Sequence, residues 1–120
     1  MKALKIIVID NEDVICDACH LVLTEKGHTV DYFKTGKSGL LAMTRDTYDL
    51  LLLDMKLPDM DGMEILKIVK EKTPALCVIV MTGYSTLANA VQAMKLGAAD
   101  YLSKPFTDDE LTEAIERACP

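Results

Sequence analysis

The sequence predicts one α/β domain: a doubly wound, five-stranded parallel sheet with helices on both faces. Three observations carry that prediction. Short apolar runs alternate with segments of helical periodicity in strict βα order along the chain. The connections are short, and such alternation implies parallel strands joined by right-handed crossovers. The first, third and fourth apolar runs are nearly continuous, as expected of central strands covered on both sides.

The elements follow in order. Leu4 to Ile9 is a strand rich in β-branched residues. From Val14 the period changes, and Val14, Ile15, Ala18, Leu21 and Val22 mark a helix that Gly27 stops. Thr29 to Phe33 alternates as a second strand, and Gly36 to Asp46 is a weaker helix carrying Leu40, Leu41 and Met43. Tyr48 to Leu53 is the third strand, too short an apolar run for a typical helix. Pro58 and Gly62 mark a loop before the helix stripe Ile65, Leu66 and Val69. Leu76 to Met81 is the fourth strand, and Leu87, Val91 and Met94 give a helix ending at Gly97. Ala99 to Leu102 is a short fifth strand, and Leu111, Ala114, Ile115 and Ala118 form the last helix.

Length and composition agree. The 120 residues suit one domain, and 50% apolar with 27% charged residues is an ordinary globular balance. Nineteen acids against thirteen bases give a formal charge of −6, which argues against direct nucleic-acid binding. No apolar run approaches a membrane span, and no signal peptide is read at the N-terminus, so the expected location is cytoplasmic. The four cysteines are then expected as free thiols.

In open α/β sheets ligands bind beyond the carboxyl ends of the strands. Those ends read Asp10-Asn11-Glu12-Asp13, Asp54, Thr82-Gly83 and Ser103-Lys104-Pro105. If the first and third strands are neighbours, carboxylates converge beside a hydroxyl and an ammonium. Converging carboxylates demand a proton or a cation. Oxygen ligands select a hard ion, and phosphate chemistry favours Mg2+. A hydroxyl and a lysine opposite the metal would stabilise a tetrahedral dianion, and a carboxylate held there can attack phosphorus. Neither GxGxxG nor GxxxxGK[ST] occurs, which excludes the usual dinucleotide and P-loop fingerprints.

The set Asp10-Asn11-Glu12, Leu53-Asp54-Met55-Lys56-Leu57-Pro58-Asp59-Met60-Asp61-Gly62, Met81-Thr82-Gly83 and Tyr101-Leu102-Ser103-Lys104-Pro105-Phe106 resembles bacterial two-component response-regulator receiver domains over essentially the whole chain, residues 1–120. The resemblance implies the CheY-like, flavodoxin-like strand order 2-1-3-4-5. It implies that Asp54 is the phosphoacceptor, supplied by a sensor histidine kinase or a phosphotransfer protein. Asp10, Asn11, Asp54 and the backbone carbonyl of Lys56 would hold Mg2+. Thr82 is the expected switch hydroxyl, Lys104 the lysine that pairs with the phosphoryl group, and Lys104–Pro105 a cis peptide. Tyr101 is the aromatic expected to turn inward on activation. The output surface, open to an output domain, a partner or a homodimer, would be the face of the fourth helix, fifth strand and fifth helix. Lys56 and Tyr84 stand where the family tunes water access to the acyl phosphate, and their bulk implies slow self-dephosphorylation. Met81 to Phe106 also resembles receivers of NtrC-type activators, which carry an ATPase and a DNA-binding domain.

One position departs from the pattern. Asn11 stands where the family usually has a second acid. A unit charge at ~4 Å is worth about 4 kcal/mol gross at an effective dielectric of 20, so weaker Mg2+ binding is expected. Asn11 could also cap the first helix, and Glu12 could supply the missing carboxylate or point to solvent. Asp13, Asp59 and Asp61 are read as loop and helix-start acids rather than ligands. Cys16-Asp17-Ala18-Cys19-His20 is formally CxxCH, but it falls inside a helix, so Cys16 and Cys19 are read as small apolar fillers. Two other functions compete with a signalling module that forms one stable acyl phosphate per chain. A Mg2+-dependent phosphatase or phosphotransferase with an Asp nucleophile would turn over. A receiver-like domain used only for protein contacts would not accept phosphoryl at all.

Overall fold

In a computed structural model the described residues are 2–83 and 86–119. The chain runs β1 (Lys5–Ile9), α1 (Asp13–Glu25), β2 (Thr29–Phe33), α2 (Gly36–Arg45), β3 (Leu50–Asp54), α3 (Gly62–Lys72), β4 (Cys77–Thr82), α4 (Leu87–Lys95), β5 (Asp100–Ser103) and α5 (Asp108–Ala118). The sheet is parallel throughout, as the sequence predicts, in the order β2-β1-β3-β4-β5 that the resemblance implies. The chain leaves β1 for one side of the sheet and returns at β3 on the other. That reversal opens a crevice beyond the carboxyl ends of β1 and β3.

Every residue of β3 is buried, and Ile6 to Ile9 of β1 and Val78 to Thr82 of β4 are buried as well. Side chains alternate across the sheet and build two cores. Ile6, Val8, Leu50, Leu52, Ile79, Met81 and Leu102 pack on α1 and α5. Ile7, Ile9, Leu51, Leu53, Val78 and Val80 pack under α2, α3 and α4. Gly27 and Gly97 lie past the ends of α1 and α4 with φ of 91° and 105°, where the chain leaves the helix in a left-handed turn.

Helix α4 presents a different face from the one the periodicity suggests, and α1 buries only part of the expected stripe, keeping Ile15 and Val22 against the core. On α4 the apolar series Leu87, Val91 and Met94 is exposed, Leu87 at 83%, while Ala93 is fully buried. The helix turns Ala93 to the core, and a small side chain permits a close approach there. On α1, Val14 and Leu21 are exposed, and Cys16, Cys19, Val22 and Leu23 face the core. Both helices carry apolar residues on more than one face, so spacing alone does not choose the buried one.

Candidate functional site

Asp10 leaves β1 with its N–H donating to the Phe33 carbonyl at 3.0 Å. Its Oδ1 accepts the Glu12 N–H at 2.9 Å, which turns the chain into α1. Asp54 is the last residue of β3, in register with Met81. At the far edge the Lys104 N–H donates to the Thr82 carbonyl at 2.8 Å, so the β4–β5 ladder runs one rung past β5. The Lys104–Pro105 peptide is cis.

From that rung the Lys104 side chain reaches back over the end of the sheet. Its Nζ lies 2.6 Å from Asp10 Oδ2, 3.0 Å from Glu12 Oε1 and 3.4 Å from Asp54 Oδ1. The lysine side chain is 8% exposed and that of Asp10 fully buried, whereas the Glu12 side chain is 55% exposed. The close contact with Asp10 is an ion pair without good directionality, and Oδ2 has no well-aligned hydrogen-bond donor among the described residues. One ligand oxygen each from Asp10, Glu12 and Asp54 lies within 4.8 Å of the others.

The electrostatics follow from burial. Desolvation raises the pKa of Asp10, opposed by Lys104 and by the Glu12 N–H. Desolvation also raises Asp54, helped by the negative charge of Asp10 and opposed by Lys104 and the Lys56 N–H. Burial acts against the Lys104 ammonium, but Asp10, Glu12 and Asp54 outweigh it and raise its pKa. One ammonium thus faces three carboxylates. The excess negative charge, the oxygen-only donors and the poorly satisfied Asp10 Oδ2 fit a hard divalent cation.

The remaining predicted residues are distributed around this cluster. Thr82 is fully buried at the end of β4, in register with Ser103. The Lys56 side chain is exposed, and its residue forms an isolated bridge with Asp61. Tyr101 is half-buried and packs against the core beneath α2, α3 and α4. Asn11 is exposed and adds no charge to the three carboxylates. It does not cap α1 either, because the N-cap position belongs to Glu12. Tyr84 lies outside the described residues.

The other acids hold the scaffold. Asp13 pairs with Lys34, and Asp61 caps α3 by accepting the Met63 N–H at 2.9 Å. Asp59 accepts the Gly36 and Lys37 N–H groups at 2.8 and 2.9 Å, anchoring the loop after β3 to the start of α2. No local spacing announces that contact, because the partners are more than twenty residues apart. Gly62 seats α3 against the end of β3: a Cβ there would lie 2.5 Å from the Asp54 carbonyl oxygen and from Met55 Cα. Cys16 and Cys19 are free and buried, and burial pushes their thiols up to about 11 and about 12. Cys16 Sγ donates to the Asp10 carbonyl at 3.2 Å. These are packed thiols, remote from haem attachment or redox chemistry.

Residues 6–116 match the family described as response regulator receiver domain. The chain belongs to that family. As a receiver domain it is a signalling domain, and it resembles longer regulators. It is 42% identical to the DNA-binding transcriptional regulator NtrC of Proteus hauseri over 92% of the chain and 24% of that protein. It is 37% identical to the transcriptional regulatory protein FixJ of Bradyrhizobium diazoefficiens over 94% of the chain and 55% of that protein. The receiver domain thus spans about a quarter of the NtrC relative and about half of FixJ. Among solved structures it superposes on NtrX from Brucella abortus with a TM-score of 0.92 and 33% identity, covering 98% of this chain and 27% of that one. It also superposes on a CheY-like receiver domain protein from Methanospirillum hungatei with a TM-score of 0.90 and 32% identity, covering 96% and 92%. Among the described residues, no helix of the receiver domain is long and apolar enough to cross a membrane.

Proposed function

We propose that residues 1–120 act as one phosphoacceptor unit in which Asp54 takes a phosphoryl group from a histidine kinase or a phosphotransfer protein. The observation that carries this reading is the buried Lys104 ammonium, shared between Asp10 at 2.6 Å and Asp54 at 3.4 Å. A carboxylate oxygen of Asp54 attacks phosphorus. The new P–O bond forms as the P–N bond to the donor imidazole breaks, and the electron pair leaves with the imidazole. Lys104 then turns from carboxylate to phosphoryl oxygen, and the Thr82 hydroxyl closes on a second oxygen.

The cation site that fits this chemistry consists of Asp10, Asp54 and the Lys56 carbonyl. Mg2+ held there would neutralise the charge that builds on the phosphoryl oxygens. Inward movement of Thr82 frees room for Tyr101 and shifts a two-state equilibrium at the α4-β5-α5 surface. That surface would meet an output domain, a partner or a second copy of the chain. The net charge of −6 supports signalling through protein contacts rather than direct nucleic-acid binding by this chain. Lys56 and Tyr84 are assigned to shielding the acyl phosphate, and the cytoplasm is the compartment where such a donor is met.

Acetyl phosphate with Mg2+, read by intact mass, tests the proposal. One phosphoryl adduct per chain is expected on the wild type and none on Asp54→Asn. Steady release of phosphate over many turnovers would favour the Asp-nucleophile phosphatase instead. No adduct with any donor would leave a domain used for contacts alone.

A further inference from the structure

The geometry points to Glu12, rather than Asn11, as the residue that supplies the missing acid of the cation site. This rests on the reading of Asp10 and Asp54 as cation ligands. Two independent features of the molecule converge on Glu12.

The first is the placement of its carboxylate. Glu12 stands one residue beyond the position of the usual second acid, yet its side chain is long enough to return. A ligand oxygen of Glu12 lies within 4.8 Å of those of Asp10 and Asp54, and Oε1 is 3.0 Å from the Lys104 ammonium they share. Opposite ligands of Mg2+ are roughly 4.2 Å apart and those of Ca2+ roughly 5 Å, so the three oxygens lie at the scale of one coordination shell. Asp10 Oδ2 is fully buried, lies 2.6 Å from the Lys104 ammonium and has no well-aligned donor among the described residues. Asn11 is exposed and contributes no charge.

The second is the start of α1. Helices α2, α3, α4 and α5 begin at Thr35, Asp61, Thr86 and Thr107, and each of these side chains accepts a backbone N–H of its first turn. Glu12 occupies the same position on α1 and makes no cap bond. Its carboxylate is turned instead over the cluster. The Asp10 Oδ1 bond to the Glu12 N–H at 2.9 Å fixes the backbone from which it turns. In this arrangement Lys104 holds the place of a cation for all three carboxylates. A divalent ion held by these oxygens would compete with the ammonium for Glu12.

Binding of Mn2+ to the unphosphorylated chain, followed by electron paramagnetic resonance of the free ion, separates the two levels of the argument. Expected results are measurable binding by the wild type, loss in Asp10→Asn, and affinity about tenfold weaker in Glu12→Gln, on the scale of one partly screened charge. Asn11→Ala should stay within about twofold of wild type, and so should Glu116→Gln, a remote charge control. Unchanged melting of the metal-free Glu12→Gln protein by circular dichroism, or a rise, shows that the fold is kept. Binding by the wild type that Glu12→Gln leaves intact, or that Asn11→Ala weakens as much, overturns the role of Glu12 and leaves the cation site standing. No binding by the wild type removes the cation reading itself, and the role of Glu12 with it.

Discussion

Lys104 Nζ and Asp10 Oδ2 lie 2.6 Å apart across the end of the sheet, both screened from solvent, although their residues belong to opposite ends of the chain. Removing the ammonium leaves Asp10 and Asp54 buried without their shared partner. Lys104→Met is therefore expected to cost about 3 kcal/mol at neutral pH without divalent ions. Added Mg2+ should recover part of the loss. Urea unfolding with and without Mg2+ measures both.

The raised pKa values of Asp10 and Asp54 set a pH dependence of definite sign. Burial makes the folded state prefer the protonated acids. Their favourable contribution is complete below the ordinary value of 3.8 and is lost as pH rises through the folded values. Asp54→Asn should thus melt at a higher temperature than the wild type at pH 7 without metal, and the gap should close as pH falls toward 4. A constant gap across that range would contradict the burial argument.

His28 gives the opposite sign. Its Nδ1 accepts the Leu4 N–H at 3.0 Å, and its Nε2 is buried without a partner among the described residues. Burial, with Lys26 nearby, holds the imidazole below the usual 6.5. The stability it contributes is present above 6.5 and lost as pH falls through the folded value. His28→Leu should cost about 1–3 kcal/mol at pH 8 by stranding the Leu4 N–H. It should also flatten the decline in stability below pH 6.5, which thermal melts across pH report.

Gly62→Ala tests how closely α3 must approach β3. With a Cβ 2.5 Å from Asp54 O and Met55 Cα, backbone has to move. A loss of about 1–3 kcal/mol is expected, together with slower phosphorylation at fixed Mg2+. Chemical denaturation and the acetyl phosphate assay give the two readouts.

On α4, Leu87→Ser should change stability by no more than about 0.5 kcal/mol, because the side chain is exposed. Ala93→Leu should destabilise by about 1–3 kcal/mol through overpacking. Equilibrium unfolding of the two variants distinguishes the faces.

The same helix shows where the sequence stops being readable. Period and order specify the elements, since β-branched runs, Gly27 and Gly97 act locally and report local structure. The strand-end residues are legible for a related reason: a parallel sheet carries Asp10, Asp54 and Thr82 to one edge whatever the helices do. Lys104 is legible only through the pattern it shares with receiver domains, since a lone lysine after a strand carries no address. The buried face of α4 is hidden because alanine contributes little to an apolar count while allowing the closest approach. Glu12 is open for a different reason. A flexible side chain beside a turn can face the cluster or the solvent, and only the distance to Lys104, which is 92 positions away, decides between them.

The sheet separates the interior into two hydrophobic compartments, one beneath α1 and α5 and the other beneath α2, α3 and α4. Substitutions in one compartment share few neighbours with those in the other, so their effects on stability should add. Each exterior of the domain can therefore diversify on its own, while the polar rim where the strands end stays common to both.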